Sequence, residues 1–580
     1  MTLTKNKIIE SVIEMLGKHP FISTFMVCLI LTPFCYGSNF NISGEAIFIL
    51  AIIFATVSLL FCYKKYKENY FNKLRSILLA ICLLGLNISF FTIFGRSEYK
   101  GVILALMVGA GIFAVGMYTK NASGLSNSVK EKINSFYIMS FGFFMKFFYV
   151  LSTSVYSRQN DVHSFGGEDG HAAYMEYLLF NKHLPNFDVR EVYQFYHPPL
   201  HHTICAAWID FLENCCGVDH NWARESLQML TLFYSMACLI LVYKILKHFK
   251  LSGPALYVPL AIFAVHPSFL ILAGSINNDI LSIVFIFATI LCTLKWYQNP
   301  TMKNILKIAL AIGLGMMTKL SVGLIAPATA FVFLVVLIKN RKNFVKLIKQ
   351  FLAFGAVCCP LGLWWGIRNF IKFKVPFNYI PKLELDSFQY IGNIPYFERL
   401  TDFSSKQFSS VFEQWIYYDT YSEYNPTIAF LKNSIFGESI NETYFEKGVF
   451  IPQLFFVIAT FLVIMSFVIM IVYLFKKNQG IKWEIKVFLM IVYGTFMGNY
   501  YIFCNTFPFT CTQNFRYIAP NLLIGILPIG LIIKDAMSKN NEKKKALNVA
   551  SITVTGLSVA FCALTVFTYI FVFLSIYETI

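Results

Sequence analysis

The sequence is short of charge. Only 14% of its 580 residues are Asp, Glu, Lys or Arg, while 57% are hydrophobic and 61 are Phe. A soluble globular chain carries about a quarter charged residues, so an ordinary soluble domain is excluded. Metal-ligand spacing is missing too. The 14 Cys contain no paired CxxC, and most stand in apolar runs, where Cys behaves as a small hydrophobe. Cys215 and Cys216 lie in a polar segment where disulfides can form, but no pairing follows from sequence. No small-residue cleavage site follows the first apolar run, near 20–36, which reads as a retained helix. No convincing internal repeat is present, and polar residues concentrate in the segments outside the apolar runs. Both points argue against the alternative of a transporter or lipid flippase, which would be built from inverted halves. Lys319, between two short apolar runs, is the one feature in that alternative's favour.

What is abundant is apolar length. Runs of about 17 to 25 residues recur, enough to cross roughly 30 Å of hydrocarbon. They predict membrane helices near 20–36, 45–62, 76–95, 101–118 and 136–156, then near 226–243, 254–273, 280–297, 304–318, 320–338 and 351–371. The last four fall near 450–475, 485–504, 516–534 and 547–574. The expected fold class is an all-α polytopic membrane protein with about 13–15 transmembrane helices. It divides into an N-terminal transmembrane module (1–371), a loop (372–449) and C-terminal transmembrane helices (450–580).

The net charge of +17 does not indicate nucleic acid, because the basic residues gather in short links between apolar runs. Lys64, Lys65, Lys67, Lys73 and Arg75 form one such link; Lys244, Lys247 and Lys250 another. Further links hold Lys339, Arg341, Lys342, Lys346 and Lys349, then Lys476, Lys477, Lys482 and Lys486, then Lys539, Lys543, Lys544 and Lys545. This is the positive-inside pattern. It leaves segments 157–225 and 372–449 outside, and their charge agrees. The first has ten acidic against four basic residues and seven of the ten His; the second has ten acidic against seven basic and is rich in aromatics.

The first outer segment carries the densest chemistry. Gly166-Gly167-Glu168-Asp169-Gly170-His171 reads as a loop opening a helix from about 169 to 180. The partly apolar face of that helix suits the membrane surface. A second such helix starts after Pro198 and Pro199, where missing N–H groups cost little. Carboxylates near a bilayer are costly without a purpose, and a partly desolvated one suits a general base. Candidates for that base are Asp169, Glu168 and Asp161, with Asp279 and Asn278 in GSINND as substrate ligands. His197 and His201, four apart, allow a Zn²⁺ reading with Asp169. Two prolines disturb that turn and the HExxH glutamate is absent, so His171, His197, His201 and His202 read instead as hydrogen-bonding partners of a polar substrate. Arg516, Lys319 and Arg368 stand at outward helix ends, where they suit a lipid phosphate.

These residues resemble a family. Glu168-Asp169-Gly170-His171 resembles the acidic-pair motif of GT-C membrane glycosyltransferases, and His197-Pro198-Pro199-Leu200 is similar to the His-Pro-Pro-Leu motif of the protein O-mannosyltransferase branch. A similar Pro-Pro-Leu occurs in bacterial aminoarabinose transferases, and the segments around Asn278-Asp279 and Lys319 resemble motifs of bacterial members. The pair here is Glu-Asp where the mannosyltransferases have Asp-Glu, and His201-His202 stands where they have Gly-Lys. The resemblance implies a GT-C-type bundle and an inverting transfer of one sugar from a polyprenyl-phosphate donor, undecaprenyl or dolichyl, to a glycan, lipid or protein hydroxyl. The acidic motif would supply the base and the basic residues would hold the phosphate. Because basic side chains hold the leaving phosphate monoester, no cofactor or metal is expected. Which of Glu168, Asp169 and Asp161 acts as base stays open. The Asn, Lys, Ile and Phe bias points to a bacterial plasma membrane; sequons at Asn41 and Asn441 keep the endoplasmic reticulum in view.

Overall fold

The structure is a computed structural model that describes residues 17–36, 44–69, 71–95, 100–120, 126–414, 423–445, 448–476, 480–538 and 544–572. Asn41, Lys477, Lys539 and Lys543 lie outside the described residues. Among the described residues the chain is helical, with no strand. Each expected span falls mainly on helix among the described residues; 254–273 is a pair of helices, and 320–338 and 516–534 open in 3-10 turns before their α-helices. Eleven are long and apolar enough to cross a membrane, twelve with a bent pair counted as one. Pro20–Tyr36, Met302–Thr318 and Asn521–Met537 have 17 residues each, about 25 Å at 1.5 Å per residue.

The bent pair is Pro254–Val265 with Pro267–Gly274, at 43°. Pro267 has no N–H to continue the ladder. A break inside a bundle must have its carbonyls satisfied by neighbours. Lys146, buried on helix Asn127–Leu151, donates to the Ala264 carbonyl at 2.5 Å. Gly142, one turn earlier, lets the two backbones approach, since a Cβ there would stand 2.9 Å from the Ala264 oxygen.

Contacts sort the links into two ends. At one end Lys247 pairs with Glu131 (2.5 Å), Lys476 with Asp535 (2.9 Å) and Lys339 with Glu484. At the other end lie both long segments. Ile391 N–H donates to the Pro508 carbonyl (2.9 Å), Arg190 to that of Phe373 (3.0 Å) and the His201 ring to that of Ile276 (2.8 Å). The basic links thus collect opposite the acidic, His-rich segments.

One expectation needs correcting. Helix Gly170–Asn181 leaves no broad face free for a membrane surface: nine of its twelve residues are buried within the protein. It packs against helix Leu200–Cys216. Its one interior charge, Glu176, is satisfied by Arg224 Nε and Nη2 at 2.8 and 2.5 Å and by the Gly166 N–H at 2.6 Å. A paired carboxylate tolerates burial, so the helix has no need of a wet face.

Candidate active site

The segment before helix Gly170–Asn181 is wound tightly. Arg158, Asp161 and His163 have φ of +54°, +60° and +56°, left-handed conformations that cost non-glycine residues about 1–3 kcal/mol each unless the surroundings impose them. Here they are imposed. The Asp161 and Val162 carbonyls accept from the N–H groups of His171 (3.2 Å) and Ala172 (3.0 Å), and Gly170 N–H donates to Tyr193 (3.1 Å). Gly170 itself sits at φ +87°, where a Cβ would come within 2.5 Å of the Val162 oxygen. The glycine after the acidic pair is therefore obligatory. The winding turns the Asp161 carboxylate to a cavity of about 560 Å³.

Asp279 reaches the same cavity from the first turn of helix Asp279–Gln298. The loop before it is strapped to the Asp161 segment. Gln159 accepts from Ile276 N–H (3.0 Å) and donates to the Gly274 carbonyl (2.8 Å), while Asn277 donates to the Asn160 carbonyl (3.3 Å). Asn278 is turned away and holds the Thr318 carbonyl at 3.0 Å.

Two cations stand between these carboxylates. Lys319, at the turn between helix Met302–Thr318 and the short helix Leu320–Ile325, pairs with Asp279. It therefore sits at the site's end of the bundle rather than midway along a broken span. Arg516 is buried and bridges the two acids, Nη2 to Asp161 at 2.9 Å and Nη1 to Asp279 at 3.6 Å. The Tyr517 ring lies under both cations, 5.0 Å from Arg516 and 5.5 Å from Lys319. The Tyr193 hydroxyl donates to Asp161 at 3.1 Å. Burial and then the Asp161 charge push this phenol up, so it remains a donor. Asp279 keeps 6% of its side chain exposed and Asp161 34%, so Asp161 is the accessible carboxylate.

His171 and His197 line the cavity, backed by the other histidines. His171 and His202 share a hydrogen bond at 2.8 Å, and the His171 ring stacks on His197 at 5.3 Å. Burial, with the neighbouring histidines and, for His171 and His197, Lys319 and Arg516 second, holds His171, His197 and His202 well below the usual imidazole range; burial brings His201 down to about 4. The cluster is neutral at pH 7. His201 is committed to the Ile276 carbonyl and Asp169 to His163 Nδ1 at 2.6 Å, so the Zn²⁺ set of His197, His201 and Asp169 does not assemble.

Other sequence candidates lie elsewhere. Arg368 stands outside the cavity, over the Trp365 ring at 4.8 Å and bonded to the Pro185 carbonyl. Glu168 and Asp169 border a neighbouring cavity instead. The sequence reading missed Tyr193, Tyr517 and Glu438. Glu438 is bonded to Asn514 beside Arg516, and burial pushes its carboxyl up. Its signal was weak: one acid in FGESIN, remote in sequence from every other site residue.

The opposite wall of the main cavity is apolar, with Ile283, Ile286, Leu324, Phe496 and Phe503 from membrane-spanning elements. Fold and cavity together define an integral membrane protein with a charged pocket at one end of its bundle. Residues 201–365 match the family model for dolichyl-phosphate-mannose-protein mannosyltransferases, which indicates a membrane glycosyltransferase of mannosyltransferase type. The match takes in His201, His202, Asn278, Asp279 and Lys319 and stops short of Asp161, Glu168, Asp169 and Arg516. No curated protein matches the chain.

Proposed function

We propose that the chain transfers one sugar from a polyprenyl-phosphate donor to an acceptor hydroxyl, with inversion, at the end of the bundle opposite the basic links. The observation that carries this reading is the Asp161–Arg516–Asp279–Lys319 array at the head of a cavity with a membrane-helix wall. A polyprenyl chain suits the apolar wall and its phosphate suits Arg516 and Lys319. The donor named by the matched family, dolichyl-phosphate-mannose, has this form.

With no donor bound, the two cations are neutralised by carboxylates. The donor's phosphodiester competes for Arg516 and frees Asp161, held then by Tyr193. Asp161 accepts the proton of the acceptor hydroxyl as its oxygen bonds to the anomeric carbon. The bond from that carbon to the phosphate oxygen breaks on the opposite face, and the phosphate leaves with the electron pair towards Arg516 and Lys319. A positioned general base is worth about 10²–10⁴ in rate. Asp161→Asn should therefore lower donor-dependent release of polyprenyl phosphate by that range while leaving the purified protein folded. Asp169→Asn should cost far less. Full release by the Asp161 variant would remove the assignment.

A further inference from the structure

A second cavity, of about 430 Å³, adjoins the first, and Tyr193, Tyr196, Tyr379 and Pro381 belong to both walls. An occupant of one therefore abuts an occupant of the other. Their remaining walls differ in kind. The first takes apolar side chains from membrane-spanning helices; no lining residue of the second belongs to such a helix. Glu168 on its rim is exposed, and Asp169 keeps 48% of its side chain exposed. One cavity borders the membrane-spanning helices and the other does not.

Charge narrows what the second cavity accepts. Glu168, Asp169 and Glu191 contribute carboxylates. The cation among its lining residues, Arg190, is already taken by Asp188, at 3.0 Å through Nε and 2.6 Å through Nη2. An anionic ligand would meet the Glu168 and Glu191 carboxylates, with Asp169 already bonded to His163 Nδ1. The rings narrow it further. Tyr196 and Tyr379 meet edge to face at 5.7 Å, whereas His163 stacks on Tyr193 at 5.4 Å. Aromatic faces with carboxylates beside them suit a sugar, whose C–H faces pack on a ring and whose hydroxyls donate to paired oxygens.

We propose that this cavity seats the acceptor, and that the acceptor is a neutral or amino-bearing carbohydrate arriving from water. Its rings pack on Tyr196 and Tyr379 and its hydroxyls donate to Glu168 and Asp169. The inference rests on the transferase reading above. It makes the acidic pair acceptor ligands and leaves proton acceptance to Asp161.

The test uses the full-length protein in lipid nanodiscs on immobilised saccharides: neutral, amino-bearing, phosphorylated and carboxylated, with a lysine-bearing Ser/Thr peptide alongside. Neutral or amino-bearing saccharides should bind. Tyr379→Ala and Glu168→Gln should each weaken binding about tenfold, and Tyr379→Trp should retain it. Should the alanine variant fail to fold, Glu168→Gln, on the exposed rim, carries the readout. Preference for the peptide or for anionic saccharides, no saccharide binding, or binding indifferent to these changes would each overturn the inference. Asp161→Asn separates the two readings. Saccharide binding with undiminished release of polyprenyl phosphate would sink the base assignment alone, and turnover that requires the peptide would sink the acceptor assignment alone.

Discussion

At the scale of single residues, the site is a problem in burying charge. Asp279 and Arg516 are nearly enclosed, and a buried ion left without its partner costs roughly 3–5 kcal/mol. The array avoids that cost by sharing: Asp279 has two cations and Arg516 has two acids. Removing one member therefore strands another. Asp279→Asn and Lys319→Gln should each lower the thermal midpoint, and the double variant should lose less than their sum, by a coupling of about 0.5–3 kcal/mol. Additive losses would mean that the pair is held apart by water and contributes little. The same sharing explains what the sequence revealed. Lys319, Asp279 and Arg516 were visible because each is a lone charge beside an apolar run, where a charge needs a reason. Tyr193, Glu438 and Gln159 were invisible because each stands in polar loop sequence, where such residues are ordinary. Nothing in the sequence joins Asp161 to a partner 355 positions away.

At the scale of elements, helices Gly170–Asn181 and Leu200–Cys216 show how a sequence pattern misleads. Ala172, Met175 and Leu179 mark an apolar stripe, which alone suggests a helix with one wet face. The other face is covered because Glu176 finds Arg224 and because His171, His197 and His202 stack without charge. Their neutrality has a consequence with a definite sign. The folded state holds these imidazoles below their unfolded value of about 6.5, so in acid the unfolded chain binds more protons. Stability is fully present above about pH 6.5 and falls as pH drops below it, by about 1.4 kcal/mol per pH unit for each histidine that stays neutral. Thermal midpoints read from pH 7.5 to 5 should fall accordingly, and His202→Gln should flatten the slope by one proton. A wild-type midpoint constant across that range would show that the cluster takes up protons without cost. The membrane helices were legible, because apolar length is a strong signal; helix Pro426–Phe436, in the segment read as a loop, was not, nor were the break at Pro267 and its repair by Lys146, because they depend on which element lies alongside.

At the scale of the whole molecule, the two ends carry opposite chemistry, and this asymmetry fixes what each end can meet. Short lysine-rich links suit the side of a membrane where positive loops are retained. The Asp161 cavity, the tyrosine-walled cavity and the exposed Asn441 all belong to the other end. Cys215 and Cys216 are exposed there, at the end of helix Leu200–Cys216, and serve as reporters. Lys342 is exposed in the link between helices Ala326–Lys339 and Phe344–Phe373 at the basic end. In intact cells or sealed vesicles of native orientation, a membrane-impermeant maleimide should label Cys215 and Cys216 directly. In a variant with both replaced by Ser and Lys342→Cys added, labelling should require permeabilisation. The reverse pattern would place both cavities on the cytoplasmic face and the basic links outside. An acceptor arriving from outside could then no longer reach the carboxylates, and the transfer would have to be drawn on the cytoplasmic face.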